Sequence, residues 1–98
     1  MASNYHSGRR REYGCQEILE RAGYLTIRAA GSKGICDVVA FGPSGNRFIS
    51  VKSGSARLTS VEREGLKAFA YSQRGRGSVE AWTFPAECHG VPSIEVFK

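Results

Sequence analysis

The sequence predicts an α/β domain, a mixed β-sheet flanked by helices in the order α-β-β-β-α-β-β. Two observations carry this expectation. Two segments repeat apolar residues at helical spacing, while five short runs alternate them as strands do. Glycine and proline clusters fall between these segments and mark their ends. No repeat, low-complexity tract or linker divides the 98 residues, so 1–98 are expected to form a single domain.

The first helix is expected from about Arg9 to Ala22, after a loose polar tail over residues 1–7. Cys15, Ile18, Leu19 and Ala22 fall on one stripe, with Glu17, Glu20 and Arg21 opposite, and Gly23 ends the helix. Tyr24–Ala29 reads as a strand, Gly31-Ser32-Lys33-Gly34 as a tight loop, and Cys36–Phe41 as a second strand. Gly42-Pro43-Ser44-Gly45-Asn46 turns the chain back into Arg47–Lys52, giving a hairpin. Thr59-Ser60-Val61-Glu62 is a capping-box pattern, in which the first and last side chains bond each other's free amides. It opens a second helix that runs to about Gln73 with Leu66, Phe69 and Ala70 inward, and Arg74-Gly75-Arg76-Gly77 breaks it. Ser78–Phe84 alternates as a fourth strand, and Ser93–Phe97 forms a fifth after Pro85 and Pro92.

A chain of this length buries only a little over ~60% of its unfolded surface, so a homodimer is a natural way to cover more. Trp82 and Phe84 are the apolar candidates for such an interface. With 41% hydrophobic and 23% charged residues the composition is that of a globular domain. No apolar run approaches the ~18–20 residues of a membrane span, and the N-terminus lacks the apolar core of a secretion signal. A soluble, cytoplasmic protein without a membrane partner is expected. Cys15, Cys36 and Cys88 have no zinc-ligand spacing and are read as reduced thiols. The net charge of +5, with Arg9, Arg10 and Arg11 in one block, favours a polyanionic partner such as nucleic acid.

The chemistry is concentrated on two neighbouring strands. Asp37 opens the run Asp-Val-Val-Ala-Phe, and Lys52 closes Phe-Ile-Ser-Val-Lys. A carboxylate that holds a hard cation and an ammonium that steadies phosphate charge are what metal-dependent phosphodiester cleavage needs. The bland alternatives are a strand-starting aspartate and an edge-strand lysine. Alternation places Phe48, Ser50 and Lys52 on one face of their strand and Ile49 and Val51 on the other, and Asp37 joins them only if the hairpin register allows. Glu12 precedes Cys15 and Leu19 at helical spacing, so it belongs to the inward face and needs a partner. An acid in a first helical turn is equally explained by the helix dipole.

In order and spacing these residues resemble the PD-(D/E)xK nuclease superfamily, and within it the archaeal-type Holliday junction resolvases. The resemblance runs from about Gly8 to the last strand. It rests on Gly8-Arg9-Arg10-Arg11-Glu12, on Gly23-Tyr24 through Arg28 to Gly31-Ser32-Lys33-Gly34, and on Asp37, Lys52, the second helix and Val79–Phe84. It implies a restriction-endonuclease-like fold and a Mg2+ cofactor, with Mn2+ as substitute. It also implies a homodimer that resolves four-way DNA junctions by paired cuts. Glu12, Ser32, Asp37 and Lys52 would be catalytic, with Glu12 and Asp37 on the metal and Ser50 reaching it through water. Arg9, Arg10, Arg11, Lys33 and Arg57 would bind DNA. Ser50 departs from the family, which has a glutamate two residues before the lysine. Some restriction enzymes of the superfamily also read Ser-Val-Lys and supply a glutamate from the following helix. Glu62 is the residue placed to do so, and the capping box is its other reading. Two alternatives stand beside resolution: a junction-binding protein disabled at Ser50, and a virus-type replication-repair nuclease acting on flaps.

Overall fold

Two helices and five strands follow one another as α1 (Asn4–Arg21), β1 (Leu25–Arg28), β2 (Val38–Gly42), β3 (Gly45–Ser53), α2 (Ser60–Gln73), β4 (Gly77–Phe84) and β5 (Ser93–Phe97), the expected order. This computed structural model describes residues 4–29, 36–53, 58–73, 76–85 and 91–97, without the side chains of residues 4–10 and 53. The strands lie in the sheet in chain order. All neighbours are antiparallel except β3 and β4, which are parallel and joined through α2. The sheet is therefore mixed, as predicted.

Each helix covers one face. Cys15 and Leu19 of α1 pack on Val38, Ala40, Ile49, Trp82 and Phe84, while Leu66 of α2 packs on Val79, Ala81 and Phe97 across the sheet. Phe48 and Phe69 meet edge to face with centroids 5.1 Å apart in the second layer. Alternation along β3 and β4 makes this possible, since successive side chains feed opposite layers.

Several boundaries and faces differ from expectation. The first helix begins at Asn4 rather than near Arg9 and so takes in residues 4–7 of the expected tail. Ile18 and Ala22 are exposed, and the buried stripe narrows to Cys15 and Leu19, because the sheet meets only that line of α1. The turn between β2 and β3 is shorter than expected: Gly42 pairs with Gly45, leaving Pro43-Ser44 as a two-residue turn. Gly45 sits at φ 122°, where an L side chain is strained. Gly42 has a different constraint, since a Cβ there would come within 2.6 Å of the Tyr24 ring. Trp82 and Phe84 are almost fully buried beneath α1, so they cannot form a dimer interface.

One charged pair is built into the core. Glu80 of β4 is 2% exposed, and its two oxygens accept bonds from Arg47 Nε (2.9 Å) and Nη2 (2.8 Å), Ser78 Oγ (2.6 Å) and Trp82 Nε1 (2.8 Å). Arg47 also lies over the rings of Tyr24 (5.3 Å) and Trp82 (5.5 Å). Burial alone would raise the Glu80 carboxyl, but the bonds from Arg47, Ser78 and Trp82 outweigh it and hold the pKa below its usual value. The Arg47 guanidinium is correspondingly raised, chiefly by its bonds to Glu80.

Helix α2 packs on β4 and β5, and among the described residues no helix covers its face of the sheet over β1 and β2. The register of Leu25 with Phe41 and Ile27 with Val39 puts these apolar side chains together on that face, with Leu25 70% and Ile27 56% exposed. Among the described residues no helix is long and apolar enough to cross a membrane.

Candidate active site

Strand β3 carries the site, and Asp37 reaches it in an irregular way. The regular β2–β3 ladder ends at Val38 opposite Ile49, one residue short of Asp37. The Asp37 N–H donates to the Ile49 carbonyl (2.8 Å), and its own carbonyl accepts from Ala29 (2.9 Å). Its Oδ2 accepts from the Val51 N–H at 2.7 Å. The side chain thus stands in for a strand carbonyl and straddles Ser50. Three backbone contacts lock the residue, and among the described residues none is made to its Oδ1. Ser50 is 7% exposed, buried in the sheet beside it.

Lys52 follows on the same face as Ser50, and its Nζ donates to Glu62 Oε2 at 2.8 Å. The other Glu62 oxygen accepts from the Thr59 N–H (2.9 Å), while the Glu62 N–H donates to Thr59 Oγ1 (3.1 Å). The capping box is formed as the sequence suggested. It does not exclude the second reading, because capping uses one carboxylate oxygen and aims the other at the lysine. Lys52 and then the Thr59 amide hold the Glu62 carboxyl below its usual range.

Glu12 approaches from α1. Its Oε1 accepts from Arg28 Nη1 of β1 at 3.0 Å, and the Arg28 guanidinium lies 4.9 Å from the Tyr13 ring centre. The inward glutamate has its partner. Sequence reasoning had Arg28 only as part of a motif, and an unpaired inward acid three residues before Cys15 was the signal that a cation had to lie on a facing strand. Next to it Arg11 has a buried Nε with no hydrogen-bond partner among the described residues. Such an atom is costly unless an acceptor reaches it.

The electrostatics converge on Asp37. Burial raises its pKa first; the Val51 amide and Lys52 pull it down, and the charges of Glu12 and Glu62 push it up. A carboxylate crowded by two others, from α1 and from α2, is an environment a cation relieves. As placed, however, no three Asp, Glu, His or Cys side chains among the described residues gather closely enough to enclose a metal. Glu12 is turned to Arg28 and Glu62 to Lys52.

The sequence-predicted residues fall into three groups. Asp37, Ser50, Lys52 and Glu62 are together, with Glu12 acting on Asp37 from the neighbouring helix. Arg9 and Arg10 lie on α1, where only their backbone is described. Ser32, Lys33 and Arg57 lie outside the described residues, as does Cys88. Burial pushes the Cys15 thiol up to about 12 and the Cys36 thiol up to about 11, which keeps both protonated at neutral pH.

No protein-family model matches this chain, and no curated protein matches it. Among solved structures it is similar to Hjc of Archaeoglobus fulgidus, a Holliday junction resolvase from an archaeal hyperthermophile. The TM-score is 0.68 over 93% of this chain and 71% of that one, at 24% identity. At that identity the likeness establishes a shared fold.

Proposed function

We propose that the chain is a Mg2+-dependent endonuclease that binds four-way DNA junctions and cuts them in pairs as a homodimer. The observation that carries this reading is the meeting of Asp37, just before β2, with Ser50 and Lys52 of β3 and Glu62 of α2, with Glu12 adding charge from α1. The fold shared with a solved resolvase supports it. The donor set is hard oxygen, which suits Mg2+, and that ion needs only one or two protein carboxylates because it keeps several waters. Asp37 would hold the cation with Glu12, Ser50 would reach it through water, and Glu62 supplies the carboxylate that the serine lacks. When bound, the cation would lower the pKa of a water and offset charge on the phosphate.

The remaining work belongs to the chain. Lys52 Nζ, oriented by Glu62, sits where it can steady negative charge developing on the reacting phosphate. Arg28 holds Glu12 inward through their ion pair. The orphaned Arg11 Nε supports a phosphate contact in the first half of α1, with Arg9 and Arg10 beside it. Lys33 and Arg57 would add contacts to the backbone, and Ser32 a hydrogen bond near the scissile phosphate. Such contacts position DNA without reading its sequence.

A labelled four-way junction, incubated with and without Mg2+ beside linear duplex and flap substrates, tests the reading. Junction cleavage only with the cation is expected, with binding that weakens steeply as salt rises. Preferred cutting of flaps would move the function to a replication-repair nuclease. Binding without cutting would leave a junction-binding protein. Sedimentation of the complex tests the dimer, for which Leu25, Ile27 and Phe41 now replace Trp82 and Phe84 as apolar candidates.

Three substitutions separate the roles within the site. Glu62→Gln keeps an oxygen for the Thr59 amide but loses the charge facing Lys52. Cleavage should fall about 10-fold or more while the melting temperature changes little. Thr59→Ala should do the reverse, costing about 1 kcal/mol of stability with activity retained. Ser50→Glu adds a carboxylate beside Asp37. It should raise cleavage at limiting Mg2+ and destabilise the metal-free protein, since a third like charge then crowds Asp37.

A further inference from the structure

At the other end of β3 an open cavity of about 390 Å³ lies between the β2–β3 turn and the start of β4, lined by Ser44, Asn46, Arg47, Arg76, Ser78 and the carboxylate of Glu80 among others. It is a polar site with a fixed cation in its wall. Arg47 is held by two bonds to Glu80 and flanked by two rings, so little freedom remains for it to lose on binding a ligand. Arg76 is exposed, and among the described residues it has no carboxylate partner. Glu80 neutralises Arg47 but is itself covered by four donors, so Arg76 leaves the cavity with a net positive charge. Hydroxyl and amide donors on Ser44 and Asn46 complete a lining suited to a tetrahedral oxyanion.

The position of the cavity defines which oxyanion it would meet. Arg47 and Lys52 have opposite parity on β3, so their side chains leave opposite faces of the sheet. Along the strand they are also ~17 Å apart. A phosphate at Lys52 and one in the cavity would thus be held on opposite faces and at opposite ends of β3, a separation that two arms of branched DNA can span. We propose that this cavity takes a backbone phosphodiester from a second arm of branched DNA, and that it contributes to the preference for junctions over linear duplex. The proposal rests on the DNA-binding reading above but uses none of its catalytic residues.

Arg76→Ala and Ser44→Asp test it, since both positions are exposed and neither packs in the core. Junction affinity should fall about 3- to 10-fold for each, and the salt slope for Arg76→Ala should drop by about one counterion. Affinity for linear duplex, the cleavage rate of saturated junction and the melting temperature should stay unchanged. Equal losses on junction and duplex would overturn the second-arm assignment, and no loss on either would overturn the site while leaving junction binding intact. Should the wild type bind no DNA, the proposed function fails independently. Titration with inorganic phosphate, followed by amide resonances of residues 44–47 and 76–78, then shows whether the cavity takes phosphate at all. Localised shifts in that case would assign it to free phosphate and overturn the DNA arm, and their absence would overturn the anion site itself.

Discussion

Replacing Asp37 by asparagine is expected to lower Mg2+-dependent junction cleavage by about three orders of magnitude while leaving the fold as stable as before, or more so. The stability half of this result follows from the direction of the Asp37 pKa. Burial raises it above the ordinary aspartate value, with Glu12 and Glu62 adding to the shift. Between the ordinary and the raised value the folded chain keeps a proton that the unfolded chain has released. Stability therefore falls as pH rises through that window, and the penalty persists at neutral pH. Asparagine removes the penalty, and its oxygen can still accept the Val51 N–H that Oδ2 accepts in the native chain. Melting curves at neutral pH, with and without Mg2+, read both effects: the wild type should gain stability from the cation and Asp37→Asn should not. A melting temperature several degrees lower for Asp37→Asn, with cleavage retained, would make Asp37 a strand-starting residue and nothing more. Lys52→Ala should show the same catalytic loss with junction binding preserved.

The second large effect lies away from that site. Glu80→Ala should destabilise the domain by about 3–5 kcal/mol, because it leaves the Arg47 guanidinium partly buried without its carboxylate. For a domain of this size that is a large part of the total, about 5–15 kcal/mol. The pair also writes a signature into acid unfolding. Glu80 is held below its usual value near 4.5, so its contribution is complete above that value and is lost as pH falls through the lower folded one. Glu80→Gln should flatten the acid limb of the stability curve while keeping most of the shape. Denaturant titrations of the wild type, both variants and the Arg47→Met/Glu80→Leu double variant separate the pair from its surroundings. A loss under about 1 kcal/mol for Glu80→Ala would mean that the pair is solvated in practice.

Element order was legible because it depends on local pattern. Period-2 runs, the Thr59–Glu62 capping box and the turn between Gly42 and Gly45 act within a few residues, and each reappears in the structure, whereas the stripe of α1 narrows to Cys15 and Leu19. Trp82 and Phe84 were misjudged for the complementary reason. Their alternation showed that they share a face, but only the sheet order reveals that α1 lies over that face of β4. Glu80 shares parity with these two residues, and an acid on the face of a tryptophan and a phenylalanine is the sequence signal for its buried partner.

The sequence by itself determined the element order, the inward positions of Leu19, Leu66 and Phe69, the capping role of Glu62 and which acids and lysine to compare. Each of these follows from periodicity or from bonds between near neighbours in the chain. Tertiary structure decided everything that needs a distance between strands or layers. The side chain of Asp37 replaces a carbonyl at the end of the β2–β3 ladder, a detail of register that no pattern encodes. Glu62 meets Lys52 only because α2 returns across the sheet to cover β4. Arg28 meets Glu12, and Arg47 meets Glu80, across gaps of 16 and 33 residues, where the pairing is set by packing of elements and not by their sequence spacing.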